Sequence, residues 1–388
     1  MAIPVSYNLR NLMVRKTTTI MTALGIALTV AVLLAILALV NGLDSSLHAT
    51  ADPLHVLVLR NGSTTEVVSN FTRTGFQVLK DKPGIARDSS GQPLASLELV
   101  TIINLANASN PDGQNITLRG LTPVGVELRH GLKLAQGRWF QPGTRELVAG
   151  SSIAESYPQA QLGSEIRIGQ WDWKVVGVMA ESRRATDSEI FADLNELSAD
   201  QHRAEVLSSA LVEATNPVAA DALIKNIEGD QQLNMTAMSE KAYYDSQTSS
   251  GDPVEFLGIF CSIIMAIGSA FAAMNTMYSA VARRTAEIGT LRVLGFSRGA
   301  VLLSFFIEAL LLSALGGILG CLLTLPLNGV TASIGNFSTF SQMAFNFRVT
   351  PHIMLTGVIF ALVLGACGGL FPSFGAARKE IVAALREA

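Results

Sequence analysis

The chain alternates between long apolar runs and polar stretches, and that alternation predicts its organisation. Four segments, Thr18–Leu43, Val254–Ala282, Ala300–Leu327 and Ile353–Phe374, are nearly free of charge. Each holds a stretch near or above the ~20 apolar residues that cross a bilayer as a helix. Only Glu255 and Glu308 place carboxylates inside them. A long polar segment, Asp44–Asp252, separates the first run from the second, whereas the other two gaps are short. The pattern predicts an α-helical membrane protein with four transmembrane helices in a one-plus-three arrangement. A large α+β extracytoplasmic domain is expected between helices 1 and 2.

The polar segment has a shorter periodicity of its own. Leu54–Arg60 (LHVLVLR) reads as a buried strand, and so do Ala95–Leu105, part of Asn115–Leu121, Glu146–Ala149, Glu165–Ile168 and Lys174–Met179. Residues 107–113 (NASNPDG) form a turn cluster by their chemistry. Ser151–Ser156 reads as a helical turn. Pro217–Ile227 reads as an amphipathic helix, with Ala219, Leu223, Ile224 and Ile227 on one face. The polar, breaker-rich Thr248–Pro253 (TSSGDP) is the expected hinge back into the membrane.

Composition sharpens the membrane reading. With 49% hydrophobic and 15% charged residues the chain is too apolar for an ordinary soluble protein. Its net charge of −3 conceals a split: Asp44–Asp252 carries 26 acidic and 17 basic residues, and the remainder 5 acidic and 11 basic. Ten of those 11 basic residues fall in the N-terminal tail, the Arg283–Arg298 loop or the C-terminal tail. The positive-inside rule places these three regions in the cytoplasm and the 44–252 and 328–352 segments outside. The resulting plan is an amphipathic helix at 1–16, spans at 17–43, 253–282, 300–327 and 353–375, a cytoplasmic coupling helix at 283–299, and a cytoplasmic tail at 376–388. In the first segment Val5, Leu9, Leu12 and Met13 share one helical stripe. A signal peptide ending near Ala51 is the rival reading, but Ile20–Val40 exceeds the ~7–15 residues of a signal's apolar core.

Candidate chemistry is sparse. Cys261, Cys321 and Cys367 all fall within spans, so the outer domain relies on its own core rather than disulfides. The five histidines show no ligand spacing, so no metal site is expected. No Walker A loop, HExxH, CxxC or GxSxG motif occurs, and nothing suggests a nucleic-acid partner. Asn61, Asn70, Asn107, Asn115 and Asn234 head Asn-x-Ser/Thr triplets, read here as coincidences of composition. Small residues mark helix contacts: Thr22, Gly25 and Thr29 in the first span, Gly316 and Gly320 in the third, and Gly365, Gly368 and Gly369 in the fourth. Pro326 and Pro372 read as span terminators.

The polar break from Ala282 to Glu308 is the most informative stretch. Arg283, Arg284, Arg292 and Arg298 keep it on the cytoplasmic side, and Ile288, Leu291 and Leu294 form an apolar stripe that fits a helix-in-groove contact. Arg283 and Glu287 stand at i,i+4. Glu308 lies about two turns inside the next run. It is either a proton relay or a carboxylate bonded to a neighbour such as an arginine of the loop.

Residues Arg284-Thr285-x-Glu287-Ile288-Gly289-x-Leu291-Arg292-x-Leu294-Gly295, followed by Phe306-Ile307-Glu308, resemble the signature of the permease family typified by the macrolide exporter MacB. The wider superfamily includes FtsX, LolC and LolE. Pro372-x-x-x-Ala376 and Ala384-Leu385-Arg386 resemble the family's end motif, with Glu380-Ile381 where an acidic residue and proline are usual. Gly137-Arg138-Trp139-Phe140, Val148-Ala149-Gly150, Leu162-Gly163-x-x-Ile166-x-Ile168-Gly169 and Trp173-x-Val175-Val176-Gly177-Val178 resemble stretches of its periplasmic core domain.

The resemblance implies a bacterial inner-membrane permease working as a dimer, a homodimer in preference to a heterodimer. Each subunit docks a separate cytoplasmic ABC ATPase through the 283–299 segment, and ATP and Mg belong to that partner, so no catalytic residue is expected here. Docking falls on Arg284, Glu287, Ile288, Gly289, Leu291, Arg292, Leu294 and Gly295. A periplasmic adaptor, as in MacB-like systems, is the implied outer partner. Lipoprotein release, as in LolC and LolE, and regulation of an outer enzyme, as in FtsX, are the alternatives.

Overall fold

The computed structural model describes residues 4–14, 16–107, 110–248, 252–335 and 339–378. The chain divides into two compact units. One comprises residues 1–42, 251–330 and 347–388, the other residues 43–250 and 331–346. The expected C-terminal motif residues Glu380-Ile381 and Ala384-Leu385-Arg386 and residues 249–251 of the expected 248–253 hinge lie outside the described residues.

The first unit is helical. After the short helix Val5–Val14 come four helices long and apolar enough to cross a membrane: Lys16–Thr50, Asp252–Arg283, Arg298–Thr324 and Pro351–Ala377. Lipid gives such helices no hydrophobic reason to associate, so contact depends on close backbone approach at small residues. A Cβ on Gly316 would stand 2.8 Å from Ile26, and one on Gly320 2.8 Å from Val30. The third helix thus lies directly on the first. Gly365 and Gly369 meet Ser313 and Ala309 of the third helix, and Gly368 meets Ala270 and Ala273 of the second. Gly25 does not join this packing, because nothing stands within 4 Å of its Cβ position. Its neighbour Thr29 does, exchanging a 2.6 Å hydrogen bond with Ser269.

Pro372 corrects another expectation. It does not end the fourth helix, which runs on to Ala377 with Pro372 buried inside it. Prolines are tolerated in membrane helices where hydroxyls and neighbouring helices re-satisfy freed backbone groups. Here neighbouring helices pack closely at the preceding turn, Gly368 against Ala270 and Ala273 and Gly369 against Ala309, and Ser373 donates its hydroxyl to the Gly369 carbonyl at 2.6 Å. In the N-terminal helix, Leu12 packs against Ala23 and Leu312, while Met13 is exposed. The side chains of Val5 and Leu9 are outside the described set.

The second unit is built on a ten-stranded mixed sheet. Neighbours across it run Met235–Ser239, His55–Arg60, Ser209–Glu213, Ala95–Asn107, Asn110–Leu121, Glu189–Asp193, Glu146–Ala149, Trp171–Met179 and Leu134–Gly137, and Glu165–Ile168 also pairs with Trp171–Met179. The apolar strands sit where their hydrophobic runs demand: Val56, Val58, Leu97, Leu99, Leu118 and Val175 all enter one core with the fully buried Trp173. The helix Pro217–Glu228 is capped by Asn216, which accepts from Ala219 N, and buries Ala220, Leu223 and Ile227 against the sheet core. The turn expected at 107–113 is shorter than its composition suggests. Asn107 already pairs with Asn110, and Asn110–Gly113 form part of a strand.

The gap between the third and fourth helices folds as a hairpin, Thr331–Gly335 with Gln342–Asn346, and belongs to the outer unit. Ser188 Oγ accepts from Ala344 N at 2.8 Å and lies 3.3 Å from Ala344 O, and Asn346 donates to Glu181. The strand signals in this hairpin are weak, and its composition predicts a plain loop.

Candidate functional site

The polar break between the second and third long helices forms a defined element. Arg284 leaves helical geometry (φ −113°, ψ 18°), and a new helix, Thr285–Val293, begins after it. That helix ends in a Schellman motif, in which Gly295 N donates to Arg292 O and Phe296 N to Leu291 O. The motif requires a left-handed residue, and Gly295 supplies it at φ +93°. Ser297 then caps the third long helix by accepting from Ala300 N. A sharp exit from one helix and a capped entry to the next hold the element in place.

Arg284 is the hub. It is only 4% exposed, and its guanidinium reaches three elements. Nη1 donates to Glu308 Oε2 at 2.9 Å, Nε to Glu287 Oε2 at 2.8 Å, and Nη2 to Tyr7 Oη at 3.0 Å. The Tyr7 hydroxyl in turn lies 3.2 Å from Glu287 Oε2. The guanidinium also stands 5.0 Å from the Phe305 ring centre, within cation–π range. Glu308, 5% exposed, therefore takes the second of its two expected arrangements, a carboxylate bonded to an arginine of the break. Glu287 pairs with Arg284 at i,i+3 rather than with the exposed Arg283.

The expected apolar stripe divides. Ile288 is buried with Met277, Val281, Val301, Phe305, Ala309 and Ala376, and Gly289 is buried beside it. Leu291 and Arg292 are half-buried, and Arg292 donates to Phe296 O at 3.3 Å. Leu294 and Val293 are 68% and 62% exposed. The signature residues thus serve two faces: Arg284, Ile288 and Gly289 anchor the helix to its own unit, while Leu294 and the outer part of Glu287 face outward beside Val293. Val293 and Tyr7 were absent from the sequence reading. Val293 occupies an unspecified position of the motif, and Tyr7 lies far away along the chain.

The profile of the MacB-like periplasmic core domain matches residues 19–229, more than half the chain, and that of the FtsX-like permease C-terminal region matches residues 259–381. The chain belongs to the family of MacB- and FtsX-like ABC transporter permeases. It is 24% identical to the macrolide export ATP-binding/permease protein MacB of Pasteurella multocida over 96% of its own length and 58% of that protein's. It is 22% identical to the ABC transporter permease YknZ of Bacillus subtilis, with 97% of both chains covered. The chain spans little more than half the length of the MacB relatives, 56% for that of Campylobacter jejuni. The extracellular domain of YknZ aligns with 47% of the chain (TM-score 0.36, 17% identity), and the periplasmic region of MacB from Actinobacillus actinomycetemcomitans with 51% (TM-score 0.38, 13% identity). Membership of this transporter family and the four long apolar helices make the permease a multi-pass bacterial membrane protein.

Two of the permease's core-domain motifs interlock. Gly137 pairs with Gly177, a Cβ on Gly137 would collide with Val176 O, and one on Gly177 with Arg138 O. The Gly137–Phe140 and Trp173–Val178 stretches therefore need glycine at both crossings. A second feature of the outer unit was missed in the sequence. Arg119, 5% exposed, donates to Glu66, Glu98 and Glu189, and Arg129 donates twice to Glu98. Burial opposes the charge on Arg119, but Glu189, Glu66 and Glu98 together hold its pKa well above the ordinary value. Burial likewise pushes the Glu66 carboxyl up, and the Arg119 pair overcomes this to leave it below the usual carboxylate range. The available signal was a charge within each apolar strand run, Glu98 in Ala95–Leu105 and Arg119 in Asn115–Leu121.

Proposed function

We propose that the permease couples ATP hydrolysis by a separate cytoplasmic ABC ATPase to movement of its outer domain, and so exports or mobilises a substrate outside the membrane. The observation that carries this is the two-faced helix Thr285–Val293. Its inner face is tied through Arg284 to Glu308 of the third long helix and Tyr7 of the N-terminal helix, and its outer face presents Val293 and Leu294. A push on the outer face is passed to the long helices through a buried ion pair and the Ile288 cluster. The hairpin Thr331–Asn346 supports the same reading, because the chain between the third and fourth helices is hydrogen-bonded into the outer unit.

On this proposal both termini and the coupling helix are cytoplasmic, as the arginine distribution favours. The working form is a homodimer in the inner membrane, and a periplasmic adaptor engages the outer domain. The second long helix, whose Phe256, Phe260, Ile264 and Phe271 are exposed, is available to lipid and to a second subunit. ATP and Mg bind the ATPase, and the permease itself carries out no chemistry.

The docking role is tested by replacing the exposed pair, Val293→Asp with Leu294→Asp, and purifying the permease from its native membrane. Two carboxylates placed in a desolvated apolar contact are buried without partners, which costs several kcal/mol, so recovery of an ATP-binding subunit is expected to fall at least ~10-fold. Membrane insertion should be unchanged, since neither side chain is buried. Undiminished recovery would refute the docking role.

A further inference from the structure

A cleft in the outer unit, where helix Lys16–Thr50 gives way to the first strand of the sheet, is lined by Thr50, His55, His130, Arg184, Thr186 and Glu240 together with Asp52 and Arg129. Its back wall is rigid. Asp187, 3% exposed, accepts from Ser182 N, Ser182 Oγ and Arg183 N, and Thr50 Oγ1 accepts from Ala185 N at 2.8 Å. The Arg184 backbone is thus clamped from both sides. Its guanidinium lies over Gly131 so closely that a Cβ there would collide with Nη1.

The acids of the cleft are already engaged. Glu240 Oε2 takes His55 Nδ1 at 2.8 Å and Asp52 N at 2.9 Å, and Asp52 Oδ1 takes Leu54 N at 2.9 Å. Arg129 is occupied by Glu98. The donors left over are of one kind. Among the described residues the Arg184 side chain makes no ion pair. His55 and Thr186 are each 4% exposed, and their buried His55 Nε2 and Thr186 Oγ1 have no hydrogen-bond partner. Buried polar atoms are nearly always partnered, so two orphans in one cleft beside a free guanidinium mark a place built for acceptor oxygens.

We propose that this cleft binds a phosphate-bearing anion, with Arg184 supplying the charge and fork, and the unpartnered Thr186 hydroxyl and His55 imidazole of the same lining the further donors. A phosphate group offers the several acceptor oxygens that a guanidinium, a hydroxyl and an imidazole can share. Burial pulls the His55 pKa down, but its hydrogen bond and charge pairing with Glu240 leave it net raised, which favours the imidazolium with a proton on Nε2. The anion is either a free phosphate or the headgroup of an anionic phospholipid. The proposal is independent of ATPase docking.

All three tryptophans, Trp139, Trp171 and Trp173, lie in the outer unit, so their fluorescence follows its unfolding in the intact permease. In detergent, inorganic phosphate at constant ionic strength should raise the unfolding midpoint saturably. Arg184→Gln should weaken the apparent affinity at least ~10-fold and Thr186→Val by a few-fold, in line with loss of charge-assisted and neutral hydrogen bonds. Arg183→Gln, which removes a neighbouring exposed charge, should respond as the wild type. A parallel series compares nanodiscs of phosphatidylglycerol with nanodiscs of phosphatidylcholine. An Arg184-dependent response to inorganic phosphate identifies the free anion. A response confined to phosphatidylglycerol identifies the headgroup. No Arg184-dependent response to either, or an equal loss in Arg183→Gln, overturns the proposal.

Discussion

The permease contains two clusters of buried charge built on opposite plans. In the outer domain Arg119 is enclosed by Glu66, Glu98 and Glu189, and Glu98 is shared with Arg129. Three of these groups project from the neighbouring strands Ala95–Asn107, Asn110–Leu121 and Glu189–Asp193. In the helical unit Arg284 has one buried carboxylate, Glu308, one carboxylate that is 56% exposed, Glu287, and one hydroxyl, Tyr7. The first cluster over-determines its geometry, because no member can leave without stranding a buried charge. The second keeps one arm in water, where exchange of partners costs little. A closed network suits a sheet held in fixed register, and a half-open one suits a helix that shifts against its neighbours.

The largest effect is expected on the closed side. Arg119→Met leaves Glu66 and Glu98 buried, with Arg129 the one remaining cation, and removal of one member of a buried network costs about 3–5 kcal/mol. Tryptophan fluorescence of the intact permease in urea should show this as an early unfolding transition of the outer domain. A loss below about 1 kcal/mol would mean that the network is no tighter than a surface pair.

A smaller effect is expected at Arg284. Glu308→Leu removes its buried partner but leaves Glu287 and Tyr7, so the loss should be about 2 kcal/mol, the scale of one charge-assisted hydrogen bond. Glu308→Gln keeps an acceptor oxygen and should lose roughly half as much. Reactivity of the buried Cys321 thiol on heating reports the stability of the helical unit. If Glu308→Leu proved as damaging as Arg119→Met, the contrast between open and closed clusters would fail.

The same contrast explains what was legible in the sequence. The four spanning helices are visible because bilayer thickness imposes a length and a composition that little else in the chain imitates. Several strands were visible as apolar runs or alternations, the four-residue Glu146–Ala149 and Glu165–Ile168 among them, but Ser209–Glu213, Met235–Ser239 and Glu189–Asp193 carry polar residues at their ends or within and do not stand out. Among the described residues of the hairpin Phe345 is the one buried apolar side chain, and hydrogen bonds through Ser188, Asn346 and Asn115 tie the hairpin to the domain, so no apolar run announces it. At the helix Thr285–Val293 the motif marked the stretch without showing its orientation. Arg284 and Leu294 belong to one signature yet point in opposite directions, because Arg284 finds its partners on helices more than twenty residues away in either direction. Charge pairing over such separations is a tertiary property.

The smallest effect separates burial from charge within the outer domain itself. Arg138 and Glu146 form an ion pair near the surface, with side chains 49% and 16% exposed. The hydrogen bond from Arg138 is the main cause that lowers the Glu146 pKa from 4.5 to about 2. A carboxyl depressed in the folded state contributes stability that is fully present above its unfolded pKa and is lost as the pH falls towards its folded one. The contribution of this pair should therefore be constant above about pH 5 and decline between 4.5 and about 2. Because Arg138 is half in water, solvent screens the pair and its contribution at neutral pH is expected to be small. Arg138→Gln should accordingly flatten the acid limb of the urea midpoint while lowering the neutral plateau only slightly. Glu66, also depressed but enclosed with Arg119, should keep its own acid dependence in that variant, and Arg119→Met should abolish or reverse that share, because burial alone pushes the Glu66 carboxyl up. A variant order reversed on the acid limb would place the pH sensitivity of the domain on its surface instead of in its closed network.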